Sequence, residues 1–139
     1  DINPQALAQA EAGVYPIDRV AGYTQNHRAS GARSSLADHY VAAYDRAVFD
    51  RTLRASIVFS DHSLATDSVF AEVQLVSCRN VLIYFTRELQ DRALGLFKDA
   101  LVRHGHLGLG SKETLRFSAH ADAFETLPGD ERIYRRLAS

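Results

Sequence analysis

At 139 residues, 46% of them hydrophobic and 24% charged, the chain has the size and mix of one ordinary folded domain, able to bury roughly two thirds of its unfolded surface. The formal net charge of −1, with no block of like charges, argues against nucleic acid or an anionic membrane as a bulk partner. No apolar run reaches the ~18 residues of a membrane-spanning helix, and no basic-then-apolar leader opens the chain. Residue 1 is aspartate and methionine is absent, so the chain is expected to be a fragment or a processed piece, with any missing motif upstream.

Asn3-Pro4 is a helix start, with Asn3 as N-cap and Pro4 at the first helical position. The helix should run to about Ala12, and Gly13 should take the left-handed position that ends it. Asp1-Ile2 would then be the tail of a strand. An acid there suits the hydroxyls of a bound ribose, as in dinucleotide-binding folds; the alternative is an ordinary terminal aspartate. From Val14 to Arg54 the signals are weak: Tyr15-Pro16 implies an extended or turning segment, Ser30 to Ser35 a loop tip, and Leu36 to Tyr44 either a short helix or an irregular strand. Residues 22–54 are read as an insertion over the sheet, with no clear hairpin. Ile57 to Phe59 is β-branched and aromatic and reads as a strand opening into Ser60-Asp61-His62-Ser63. Adjacent residues point apart, so Asp61 and His62 cap a loop rather than form an acid–base pair.

The chain is organised around Val73 to Phe85, VQLVSCRNVLIYF. It begins as a buried strand, Val73 to Cys78, and breaks at Arg79-Asn80, which would sit in the crevice outside the carboxyl edge of a parallel sheet, where ligands bind. Cys78 is the only cysteine; it can form no internal disulfide and points to a reducing, cytoplasmic setting. Thr86 caps a helix from Arg87 to about Arg103, whose residues Leu89, Ala93, Leu96, Phe97, Ala100 and Leu101 form one apolar face. Gly105 should end it and His106 to Gly110 form the next strand, making a parallel, right-handed crossover. His104 and His106 form an H-x-H pair, but no third ligand follows at metal spacing, so no metal is assigned. Ala123 to Leu127 and Arg132 to Leu137 flank Pro128-Gly129-Asp130, the signature of an antiparallel hairpin.

CRNVLIYF, the amphipathic helix after it, LGLGSKET and the closing IYRR together resemble the C-terminal part of the chemotaxis receptor glutamate methyltransferases, the CheR-type family. The resemblance runs from Asp1 nearly to the end and is densest from Val76 to Phe85. It implies an α/β fold: a Rossmann-like class I methyltransferase sheet, mostly parallel, with a C-terminal antiparallel hairpin and lacking its first strand or strands. Residues 1–139 would be one partial domain. It implies methyl transfer from S-adenosylmethionine to glutamate side chains in the cytoplasmic region of chemoreceptors. Matched position by position, Asp1 falls on the ribose-binding acid, in Asp1-Ile2, Ala6-Leu7 and Gly13-Val14-Tyr15. Ser63 and Leu64 match the loop near the adenine, where the family often has asparagine for Ser63. Arg79 and Asn80 match the pair that contacts the cofactor, and Tyr84 the tyrosine beside the transferred methyl. From the residues alone Tyr84 is a strand-end tyrosine packed against Phe85. Gly110 to Glu113 resembles the family's Gly-x-Ser-Glu, with serine one position early and Lys112 in its place, and no role is assigned to it.

The family's glycine-rich loop and upstream arginine have no counterpart here, so the piece by itself is expected to be a poor enzyme. A non-catalytic docking or dimerisation module, associating through an exposed sheet edge, is the alternative. A nucleotide-dependent dehydrogenase would need the same missing loop.

Overall fold

The structure is a computed structural model and describes residues 1–69 and 71–138. The chain forms two compact units, residues 1–62 and 63–139.

The first unit opens with helix α1, Pro4–Ala12, where the Asn3 side chain accepts hydrogen bonds from the Gln5 N–H (2.9 Å) and the Ala6 N–H (3.3 Å). Gly13, at φ 63°, closes it with its N–H on the carbonyls of Gln9 and Ala10, a conformation that costs residues with a Cβ. Strand β1 (Val14–Pro16) leads into α2 (Ile17–Ala29), then β2 (Tyr40–Ala43), β3 (Arg46–Phe49) and the single-turn α3 (Arg51–Arg54). The three strands form an antiparallel sheet in the order β1-β3-β2. Ala47 of β3 is fully buried, as is Val20 of α2 to within 3%. Tyr15, Tyr40 and Phe49 gather as tilted and edge-on rings, Phe49 lying 5.8 Å from Tyr15 and 5.5 Å from Tyr40.

Several sequence expectations fail in this unit. A hairpin is present: β2 and β3 join through Tyr44-Asp45, both at positive φ (48° and 58°), with Ala43 paired to Arg46. Two successive positive φ values match the twist of a two-residue hairpin loop, but Asn-Gly or Asp-Gly usually supplies them; Tyr-Asp hid the turn. Helix α2 escaped notice because Gly22 interrupts its pattern, although Asp18 in its first turn and His27 and Arg28 in its last suit the helix dipole. Leu36–His39 is one helical turn and Tyr40 onward a strand, so both readings of that stretch hold in succession. Ile57 to Phe59 is not a strand: Val58 is 92% exposed, and β-branched residues form a strand only where a neighbouring strand completes the ladder. Asp1-Ile2 is likewise outside any strand, though the Asp1 amino group donates to the Ser60 carbonyl (3.0 Å) and the His62 N–H to the Asp1 carbonyl (3.2 Å).

The second unit is mixed α/β, the class that the resemblance implies. Its mixed sheet runs β4-β5-β7-β6. Strand β4 (Val73–Cys78) lies parallel to β5 (Leu101–Leu109), helix α4 (Arg87–Ala100) connecting them, and β7 (Ile133–Arg136) pairs antiparallel with β5 and with β6 (Phe124–Thr126). Thr86 caps α4, and Ala93, Leu94 and Phe97 bury its apolar face against Leu101, Leu107, Leu109 and Tyr134. The helix ends at Ala100, three residues short of the expected Arg103, because β5 begins at once. Gly105 therefore lies inside β5, where residues 102–105 bulge opposite Gln74 and His104 takes φ 62°. The closing hairpin stands where Pro128-Gly129-Asp130 puts it, with Glu125 and Arg135 paired across it.

Candidate functional site

At the carboxyl end of β4 the chain leaves the sheet at Cys78 and makes a tight excursion through Arg79 to Phe85. Asn80 sits at φ 59°, a left-handed conformation that asparagine tolerates better than most residues. Leu82 turns inward and is 3% exposed, while Tyr84 is 82% exposed. Arg79 and Asn80 are also exposed. Among the described residues the Arg79 guanidinium has no hydrogen bond or ion pair, so its charge is uncommitted.

What shapes this excursion is Glu113, to which the sequence reading assigned no role. It is the one charged residue among the buried described residues, 4% exposed. Its Oε1 accepts from the N–H groups of Val81 (2.8 Å), Leu82 (2.8 Å) and Ile83 (3.4 Å), and its Oε2 from those of Asn80 (3.0 Å) and Gly110 (2.6 Å). Burial alone would raise its pKa, but the N–H groups of Gly110, Asn80, Val81 and Leu82 outweigh that and hold it below the usual value. A second brace comes from α4: the Gln90 Nε2 donates to the carbonyls of Leu82 (2.9 Å) and Phe85 (3.1 Å). Gly110 makes room for the arrangement, since a Cβ there would lie 2.5 Å from Asn80 Oδ1, 2.8 Å from Glu113 Oε2 and 2.9 Å from the Asn80 nitrogen. Beneath it the Cys78 thiol is buried and its pKa is pushed up to about 11, first by burial and then by the Glu113 charge.

The other candidates lie apart in sequence. Ser63 and Leu64 open the second unit: the Ser63 N–H donates to Asp67 Oδ2 (2.7 Å) and its hydroxyl accepts from the Ala65 N–H (3.3 Å), so Ser63 caps a turn. Leu64 packs on the apolar core. Asp1, in the first unit, is exposed, and its Oδ1 accepts from the Asn3 N–H at 2.8 Å. Thus Arg79, Asn80 and Tyr84 share one excursion from the sheet, whereas Asp1 and Ser63-Leu64 are each held by local turns. Among the described residues no group of three or more His, Cys, Asp or Glu side chains is arranged to hold a metal, and no helix is long and apolar enough to cross a membrane.

Glu113 and Gln90 were missed because their partners are backbone groups about 30 and 8 residues away in sequence. The one local signal was the Gly-x-x-Glu spacing of Gly110 and Glu113 after a strand.

Residues 1–133 match the family model described as "CheR methyltransferase, SAM binding domain". A protein of Pseudomonas putida named "Putative methyltransferase Cher3" is 54% identical over 136 residues, 98% of this chain and 50% of that protein. A chemotaxis protein methyltransferase of Listeria innocua is 31% identical over 115 residues, covering 83% of this chain and 41% of the relative. One from Borreliella burgdorferi is 25% identical over 118 residues, 84% and 39% of the two chains. The chain thus spans half or less of the length of these relatives, yet the match runs through both units and includes the excursion that Glu113 holds. The chain belongs to the CheR methyltransferase family.

Proposed function

We propose that the protein transfers a methyl group from S-adenosylmethionine to glutamate side chains in the cytoplasmic region of methyl-accepting chemoreceptors, and that this chain supplies one wall of the site. The observation that carries the reading is the family match over residues 1–133, which takes in the exposed Arg79-Asn80 pair at the end of β4. The residues present suit such a cofactor: an uncommitted guanidinium and an amide at a strand end can meet acceptor and donor groups of an adenosine and amino-acid ligand. Asp1 would serve the ribose hydroxyls, Ser63 and Leu64 the adenine, and Arg79 and Asn80 the wall after β4. The cofactor supplies an electrophilic sulfonium methyl.

The substrate glutamate, with a pKa near 4.3, is ionised at neutral pH, so no strong general base is required. The protein's work is alignment and exclusion of water; well-oriented reactants can gain up to about 7–11 kcal/mol from positioning. The exposed Tyr84 hydroxyl would donate a hydrogen bond that orients the incoming carboxylate. The isolated 139 residues, half the length of the Pseudomonas putida relative, are proposed to be inactive by themselves, and the protein to work in the cytoplasm.

The test is calorimetry with S-adenosylhomocysteine, with transfer of labelled methyl from S-adenosylmethionine to a receptor cytoplasmic fragment, on the intact protein and on the 139 residues. Binding and transfer by the intact protein alone are expected; transfer by the 139 residues would overturn their proposed inactivity. Absence of both from the intact protein would instead favour a docking module. That second reading draws on the hairpin, where Tyr44 is 99% and Val41 70% exposed, and on β4, an edge strand bearing Leu75 at 64% exposure. Such an edge could pair with a second copy.

A further inference from the structure

The N–H groups of residues 80–83 all point at the Glu113 carboxylate, and the carbonyls of Leu82 and Phe85 are taken by Gln90. Those donors are therefore unavailable to a ligand, and what the excursion can offer outward is its side chains. The directions of the Arg79, Asn80 and Tyr84 side chains follow from the backbone, and the backbone follows from the carboxylate. A buried charge is costly unless its hydrogen bonds are satisfied; here five donors satisfy it, so the turn, including left-handed Asn80, is over-determined.

We propose that Glu113 is a positioning residue for cofactor binding: acting through the backbone of residues 80–83, it holds Arg79 and Asn80 in the arrangement that S-adenosylmethionine requires. The proposal rests on the reading of Arg79 and Asn80 as cofactor contacts. Gly110 belongs to the same device, since it donates to the carboxylate and leaves the space that the Asn80 side chain fills. Glutamine cannot replace Glu113, because one of its two terminal atoms donates and would face the N–H groups of Asn80 and Gly110 or those of Val81 to Ile83. Aspartate keeps two acceptors but is one methylene shorter.

The test uses the intact protein and the variants Glu113→Gln, Glu113→Asp, Asn80→Gly and, as a control for lost stability alone, Phe97→Leu in the core. Each is first checked for its thermal midpoint, then measured well below it for S-adenosylhomocysteine affinity by calorimetry and for KM and kcat with S-adenosylmethionine. Expected for Glu113→Gln is a rise of roughly tenfold or more in both the dissociation constant and KM, as loss of charge-assisted bonds implies, with kcat changed far less. Glu113→Asp should recover part of the loss. Asn80→Gly, which keeps the left-handed backbone and removes the amide, should weaken binding without lowering the thermal midpoint as Glu113→Gln does. Phe97→Leu should lower the midpoint and leave affinity unchanged. Wild-type affinity in a folded Glu113→Gln variant, or equal loss in Phe97→Leu, overturns the proposal. Should Glu113→Gln fail to fold, unchanged affinity in both Glu113→Asp and Asn80→Gly overturns it as well. Failure of the wild-type protein to bind S-adenosylhomocysteine would overturn the cofactor reading itself, a distinguishable result.

Discussion

Replacing Gly110 by alanine puts the reading of the Glu113 clasp at risk most directly. The added Cβ would lie 2.5 Å from Asn80 Oδ1, 2.8 Å from Glu113 Oε2 and 2.9 Å from the Asn80 backbone nitrogen. The Asn80 amide can swing aside, but a backbone nitrogen and a carboxylate already bound to five N–H groups cannot both retreat without losing hydrogen bonds. Overpacking of this kind costs about 1–3 kcal/mol, and a lost hydrogen bond to a charged group about 1.5–3 kcal/mol. The two costs are alternatives in part, because the carboxylate moves to relieve the clash, so a loss of about 2–4 kcal/mol is expected. Urea unfolding followed by circular dichroism measures it. Gly22→Ala is the matched control: nothing lies within 4 Å of its added Cβ, in the interior of α2, and it should stabilise that helix by about 0.5–1 kcal/mol. A Gly110→Ala protein within about 0.5 kcal/mol of wild type, the range of an ordinary surface change, would refute the close approach and the clasp with it.

Leu94→Ala, which empties a site only 2% exposed between α4 and the sheet, should cost about 2–5 kcal/mol in the same assay. On acidification, Glu113 contributes stability that is fully present above the ordinary carboxyl value and lost as pH falls through its lower folded value. Glu113→Gln should therefore flatten the stability–pH curve in the acid range, leaving the contributions of Asp50 and Asp91, whose pKa values are also lowered; an unchanged acid limb would contradict the assignment. Cys78, buried with its pKa pushed up to about 11, should resist iodoacetamide at pH 8 in the folded protein and react once unfolded, as mass spectrometry would read; rapid alkylation of the native protein would contradict its placement.

Local chemistry in the sequence was enough for the elements whose signals are local. Asn3-Pro4 and Gly13 bounded α1, Thr86 began α4, and Pro128-Gly129-Asp130 placed the closing hairpin; the apolar run from Val73 to Cys78 was β4 but not the buried strand expected, since it lies at the edge of its sheet and only Cys78 is buried. The resemblance carried by CRNVLIYF led to the family that the match over residues 1–133 shows. Other features depended on partners remote in sequence. Ile57 to Phe59 has the composition of a strand but no ladder among the described residues, Tyr44-Asp45 turns a hairpin without the usual residues, and α4 gave way to β5 at Leu101 because that residue pairs with Val73. At the candidate site the sequence showed which side chains stand after β4. Only the folded chain brought Glu113 and Gln90 to the backbone between them, because a carboxylate receiving N–H groups some 30 residues away leaves no periodicity for a sequence to show.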